Sequence, residues 1–86
     1  MKQFAYTITN PSGIGTRSFG QLAKLAREYG DTVITITKGG DTVKTSQLMR
    51  LMGMGIHEGD EVTVSAEGPD ENNAIFAARV FFENNL

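Results

Sequence analysis

The 86-residue sequence contains no cysteine. That excludes a disulfide framework and any cysteine-ligated metal. A small chain held together by packing alone suits a reducing, cytoplasmic setting. Histidine is almost as scarce, with His57 the single example, which argues against a zinc site, and a single histidine with unplaced partners supports no Ser-His-Asp arrangement. No run of about 18 or more apolar residues is present, as a membrane span would need. The start, MKQFAYTITN, alternates and is too polar for a signal peptide. Positive charge is also short: Lys and Arg number 8 against 10 Asp and Glu, for a net charge of −2. A general nucleic-acid binder would show a basic field instead. No Gly-x-Gly-x-x-Gly follows a strand, and there is no P-loop string. The acidic clusters, Glu58, Asp60 and Glu61 and then Asp70 and Glu71, lack EF-hand spacing. No internal repeat or low-complexity segment interrupts the chain.

What is present suits one small globular domain over 1–86, with 40% hydrophobic and 21% charged residues. The organising stretch is 10–30. Asn10, Pro11, Ser12 and Gly13 are turn formers. Phe19, Leu22, Ala23, Ala26 and Tyr29 then fall on one helical stripe. Gly30 is placed to end that helix as a C′ glycine. Lys24 and Arg27 lie off the stripe, facing water or a partner.

Before this helix, residues 2–9 alternate as a half-buried strand, with Phe4, Tyr6 and Ile8 on one face. After it, 32–37 is β-branched throughout. Gly39-Gly40 signals a hairpin into a short strand over 41–44. Thr45-Ser46 reads as the cap of a helix over 47–53 whose stripe is Leu48, Leu51 and Met52. Gly53 and Gly55 stop it, and IHEGD forms a turn. Residues 61–67 alternate, with Val62, Val64 and Ala66 inward. Asp70 is placed to cap a last helix over 71–84 carrying Ala74, Ile75, Ala78, Phe81 and Phe82. The order βαββαβα predicts an α+β two-layer sandwich. A four-stranded antiparallel sheet is covered on one face by three helices and open on the other.

This order and three local strings resemble HPr, the histidine-containing phosphocarrier family of the bacterial sugar phosphotransferase system. ITNPSGIGTR is similar to the family's active-site loop, in which Pro, Gly, an aliphatic residue, His, a small residue and Arg follow one another. Here those places fall on Pro11, Gly13, Ile14, Gly15, Thr16 and Arg17. LMRLMGMGI resembles the second-helix segment, and GDEVTVSAEGPDENNA the last strand and the start of the last helix. The resemblance implies an HPr-like open-faced sandwich and a phosphoryl-carrier or regulatory protein rather than a true catalyst. It implies no cofactor and no metal. Its partners would be enzyme I, IIA domains, HPr kinase or a transcription regulator, with no nucleic acid, no membrane insertion, and a monomer or weak dimer.

The departures shape the functional reading. Gly15 stands where the family's phosphoryl-accepting histidine belongs, and glycine has no side chain to accept anything. An imidazole serves there because it is nucleophilic near neutral pH. The favoured reading is therefore a non-phosphorylatable binding or regulatory homologue. The alternative is a phosphocarrier, native or histidine-lacking, relaying phosphate from enzyme I to IIA components. His57 lies in a turn that matches no active-site position and reads as a solvated or capping residue. Thr16 and Arg17 at the helix start form a candidate anion or phosphate pocket. The resemblance places partner docking on Thr16, Arg17, Gly20, Lys24 and Arg27 and on Gln47, Met49, Arg50 and Met52. Spacing alone leaves the methionines either exposed for docking or buried in the core. The family's regulatory serine position falls on Gln47. Ser46, one residue earlier, reads as the cap, with regulatory phosphorylation as the second reading.

Overall fold

The computed structural model describes the chain over 1–86 apart from Ile14 and the side chain of Thr16. Its elements are β1 (Lys2–Thr7), α1 (Thr16–Glu28), β2 (Val33–Lys38), β3 (Asp41–Lys44), α2 (Leu48–Met52), β4 (Glu61–Glu67) and α3 (Glu71–Asn85). The sequence order is the one expected, and only the ends of elements move.

Alternation builds the sheet. Val62, Val64 and Ala66 are buried on one face of β4, while Thr63 and Ser65 turn to the other. The strands run in the order β1-β4-β2-β3, all pairs antiparallel. β4, reached last, is inserted between β1 and β2, pairing Phe4 with Val64 and Ile36 with Val64 on its two sides. On the uncovered face, threonine and serine hydroxyls bridge neighbouring strands: Thr35 to Ser65, and Thr37 to Thr42 at 2.8 Å. Such cross-strand pairs hold register where no apolar face does so.

The helices cover the other face. Phe19 and Leu22 of α1 and Ala74, Ala78 and Phe82 of α3 are buried in one core cluster with Phe4, Ile34, Ile36, Val43 and the β4 valines, and Ala23 is buried as well. Phe82 takes edge-on contacts from Phe4 and Tyr6 at 5.9 and 5.4 Å between ring centroids, a favoured aromatic geometry.

Several local expectations are corrected. Gly30 does follow α1 at C′, but it does not adopt the left-handed conformation; the helix closes through Tyr29, whose N–H donates to Leu25 O. Ser46 is not the cap of α2. The Gln47 N–H donates to Lys44 O at 2.9 Å and closes a turn around Thr45-Ser46. That leaves Gln47 at the N-cap without a side-chain capping bond. Asp70 does hold the α3 N-cap position, yet its side chain caps nothing; its own N–H donates to Thr32 Oγ1 at 2.9 Å. In α2 only Leu51 reaches the core, whereas Leu48 and Met52 are exposed. A helix of five residues makes little more than one turn, so it has room for one inward side chain. Gly39 takes a positive φ at the first turn position of the β2–β3 hairpin, as expected of a glycine there.

Candidate functional site

The site grows from the turn after β1. Asn10 Oδ1 accepts the Ser12 N–H at 2.9 Å, and Asn10 O accepts the Gly13 N–H at 2.8 Å. Both bonds follow from an Asn-Pro-Ser-Gly sequence. This turn is clamped from two sides. Leu86 O accepts the N–H groups of Thr9 and Asn10, at 2.6 and 2.9 Å, and the Thr9 hydroxyl at 3.0 Å. On the other side, the Ile8 N–H donates to Asp60 O and the Gly59 N–H to Ile8 O, at 2.9 and 2.8 Å.

Gly13 completes the clamp. Its φ is +64°, and a Cβ built on it would stand 2.5 Å from Ile56 O and 3.1 Å from His57 Cα. The site loop and the turn after α2 are thus in backbone contact. His57 therefore lies beside the site loop, although its place in the sequence suggests no link to it. The signals available were the glycines that permit close approach, Gly13 on one segment and Gly55 on the other. The Cε1 of His57 lies 3.5 Å from where a Gly55 Cβ would stand.

Gly15 is exposed at the N-cap of α1, with φ −86° and ψ 172°. Any residue adopts this extended backbone, and a Cβ there meets nothing within 4 Å. Its carbonyl accepts the Phe19 N–H at 3.1 Å and opens the helix. Ile14 and the Thr16 side chain, both named in the sequence reading, lie outside the described residues. Arg17, Gly20, Lys24 and Arg27 are exposed on one side of α1, the spacing of a single helical face.

Next to this face, α2 packs on α1. Met49 is 82% exposed and Met52 42%, which places both methionines on the surface, and Leu48 joins them at 36%. Gln47 and Arg50 are exposed as well, with Arg50 Nη1 3.4 Å from Gln47 Oε1. Among the described residues, none of Arg17, Lys24, Arg27 and Arg50 is within ion-pair distance of a carboxylate. The two packed helices thus expose three apolar side chains on α2 and four cations that are unpaired among the described residues.

One charged cluster braces the His57 turn. Lys38 Nζ lies 2.9 Å from Asp60 Oδ2 and donates to Gly55 O at 2.8 Å. The same Asp60 oxygen accepts the His57 N–H at 2.8 Å and lies 3.8 Å from His57 Nδ1. The Lys38 ammonium bond first, and the His57 N–H second, hold the Asp60 carboxyl below its ordinary pKa. Among the described residues no three His, Cys, Asp or Glu side chains come together to hold a metal. No helix among them is long and apolar enough to cross a membrane.

Comparison with known proteins matches residues 2–84 to the family model described as "PTS HPr component phosphorylation site". The chain is 31% identical to the phosphocarrier protein HPr of Mycoplasma genitalium over 85 residues, 99% of this chain and 97% of that protein. It is 37% identical to the HPr of Vibrio cholerae over 68 residues, 79% of each. Among solved structures, HPr-C-His from Thermoanaerobacter tengcongensis superposes with a TM-score of 0.89 at 30% identity, covering 98% of this chain and 93% of that one. The histidine-containing phosphocarrier protein of Mycoplasma gives 0.90 at 30% identity, covering 96% and 93%.

Proposed function

This chain belongs to the HPr family of the sugar phosphotransferase system, whose members are phosphocarriers rather than catalysts, and on that premise we propose that it is a binding and regulatory homologue that takes no phosphoryl group at position 15. The observation that carries the reading is the pairing of a bare Gly15 with an exposed apolar and cationic surface on α1 and α2. Met49, Met52 and Leu48 are exposed between Arg17, Lys24, Arg27 and Arg50. An apolar centre with a cationic rim steers and holds an acidic partner, and methionine adapts to more than one such partner. Enzyme I, IIA domains, an HPr kinase or a transcription regulator in the cytoplasm are the partners of this reading, with the chain itself a monomer or weak dimer.

Two finer assignments go with it. Arg17 and the free N–H groups at the start of α1, Thr16 included, form a pocket for a phosphate or acidic group of the partner. Titration with inorganic phosphate moves the amide signals of residues 16 and 17; no shift at millimolar concentration contradicts the pocket. Ser46 is exposed and free of the capping role expected of it, which leaves it open as a regulatory serine.

The docking reading is tested by adding unlabelled enzyme I to the isotope-labelled chain. Signals of residues 17, 20, 24, 27 and 47–52 shift first if the reading holds. Shifts confined to other surfaces, or none, contradict it.

A further inference from the structure

β3 is the last strand in the order β1-β4-β2-β3, so the side of its backbone away from β2 pairs with no strand. Between that edge and the end of α2 lies a cleft of about 260 Å³, lined by Asp41, Thr42, Val43, Arg50, Gly53 and Met54. We propose that this cleft binds a small aliphatic amino acid as its zwitterion.

The two charges decide the class of ligand. Asp41 and Arg50 are both exposed and line the same cleft with opposite signs. Among the described residues neither forms an ion pair, with the other or with any third group. Lys38, the register partner of Asp41 on β2, is committed to Asp60 instead. Arg50 reaches only Gln47 Oε1, at 3.4 Å, longer than a well-formed hydrogen bond. A simple carboxylate would satisfy Arg50 and be repelled by Asp41, and a simple amine would do the reverse. A zwitterion satisfies both. Its carboxylate takes the forked donors of the guanidinium, and its ammonium takes the Asp41 carboxylate.

The rest of the lining suits an aliphatic body. Val43 is buried, and Met54 is half-buried against the core. Methionine adapts its shape to what packs on it, and Gly53 adds no side chain to the wall. The outward N–H and C=O groups of an edge strand are unpaired and are available to the polar end of a ligand. The volume lies below the roughly 300–1,000 Å³ of pockets for drug-sized ligands, which favours a single amino acid over a nucleotide or an oligosaccharide.

Arg50 also belongs to the docking surface, so an occupied cleft competes with an acidic partner for its guanidinium. That consequence rests on the docking reading; the binding itself does not.

The probe for the test is L-leucine, titrated into the isotope-labelled chain. Beside it run isocaproate, which keeps the carboxylate and lacks the ammonium, and isoamylamine, which keeps the ammonium and lacks the carboxylate. Leucine is expected to give saturable shifts at the amides of residues 41–43, 50, 53 and 54. Each analogue is expected to bind about tenfold or more weakly, the ratio for losing one hydrogen bond to a charged group. Asp41→Asn should remove the advantage of leucine over isocaproate, and Arg50→Gln its advantage over isoamylamine; the amide spectra of both variants show whether they fold like the parent. No saturable shift at millimolar leucine, or an analogue that binds as tightly as leucine, overturns the site. Enzyme I is then added with leucine saturating. Weaker association supports the competition, and association unchanged by bound leucine overturns the competition while the site stands. If enzyme I fails to bind even without leucine, the docking reading fails and the competition with it, and the leucine shifts alone decide the site.

Discussion

Gly13 packs so tightly on Ile56 that a Cβ on the glycine would stand 2.5 Å from the Ile56 carbonyl oxygen. This single contact ties the loop in front of α1 to the turn behind α2. It brings the His57 backbone against the loop in front of α1.

Gly13→Ala should therefore be costly. The left-handed φ of +64° is unfavourable for alanine by about 1–2 kcal/mol, and relief of the clash adds about 1–3 kcal/mol. Urea denaturation is expected to show a loss of about 2–5 kcal/mol, the sum of those two ranges. Gly15→Ala, which meets open space on an extended backbone, is expected to change stability by no more than about 1 kcal/mol. Equal effects of the two substitutions would contradict the clamp.

The two faces of α2 should separate stability from binding. Leu51 is fully buried, so Leu51→Ala is expected to lose about 2–5 kcal/mol. Met49 is 82% exposed, and Met49→Ala should stay within about 0.5 kcal/mol of the parent. If the docking reading holds, Met49→Ala nevertheless weakens enzyme I association, and Arg50→Glu slows it in a salt-dependent way. Calorimetric titration at two salt concentrations checks both.

Much of this was legible in the sequence, and the exceptions share a cause. The inward faces of α1 and β4 follow from periodicity, because one buried face repeats over many residues. The uncapped Ser46 and the outward Leu48 and Met52 were not legible, since α2 is too short for a stripe to mean anything and its start is decided by a turn bond from Gln47 to Lys44. The link between His57 and the site loop was hidden for another reason. It is a backbone contact between distant segments, permitted by Gly13, whose only signature is the absence of a side chain, and made against Ile56 and His57. The pattern around Gly15 was readable, but whether Met49 and Met52 faced water depended on packing that no spacing rule supplies.

Acid should loosen the His57 turn. Asp60 has a lowered pKa in the folded chain because Lys38, then the His57 N–H, stabilise its charged form. A depressed carboxyl pKa contributes stability above the unfolded-state value and loses it as pH falls through the folded-state value. The parent should therefore be more stable than Asp60→Asn at neutral pH. The difference should shrink as pH drops below the ordinary aspartate range, about 4. Thermal melts from pH 7 downward measure it. A gap that persists unchanged in acid would assign the effect to something other than the Asp60 charge.

The most direct test of the central claim is phosphorylation of the Gly15→His, His57→Ala variant by enzyme I and phosphoenolpyruvate. In that variant the only imidazole is the one restored at the family position, where a side chain meets open space. If the contact surface is intact and only the acceptor is gone, the variant takes up one acid-labile phosphoryl group. If it folds like the parent and takes up none, the surface on α1 and α2 no longer serves phosphotransferase partners, and the docking account is wrong.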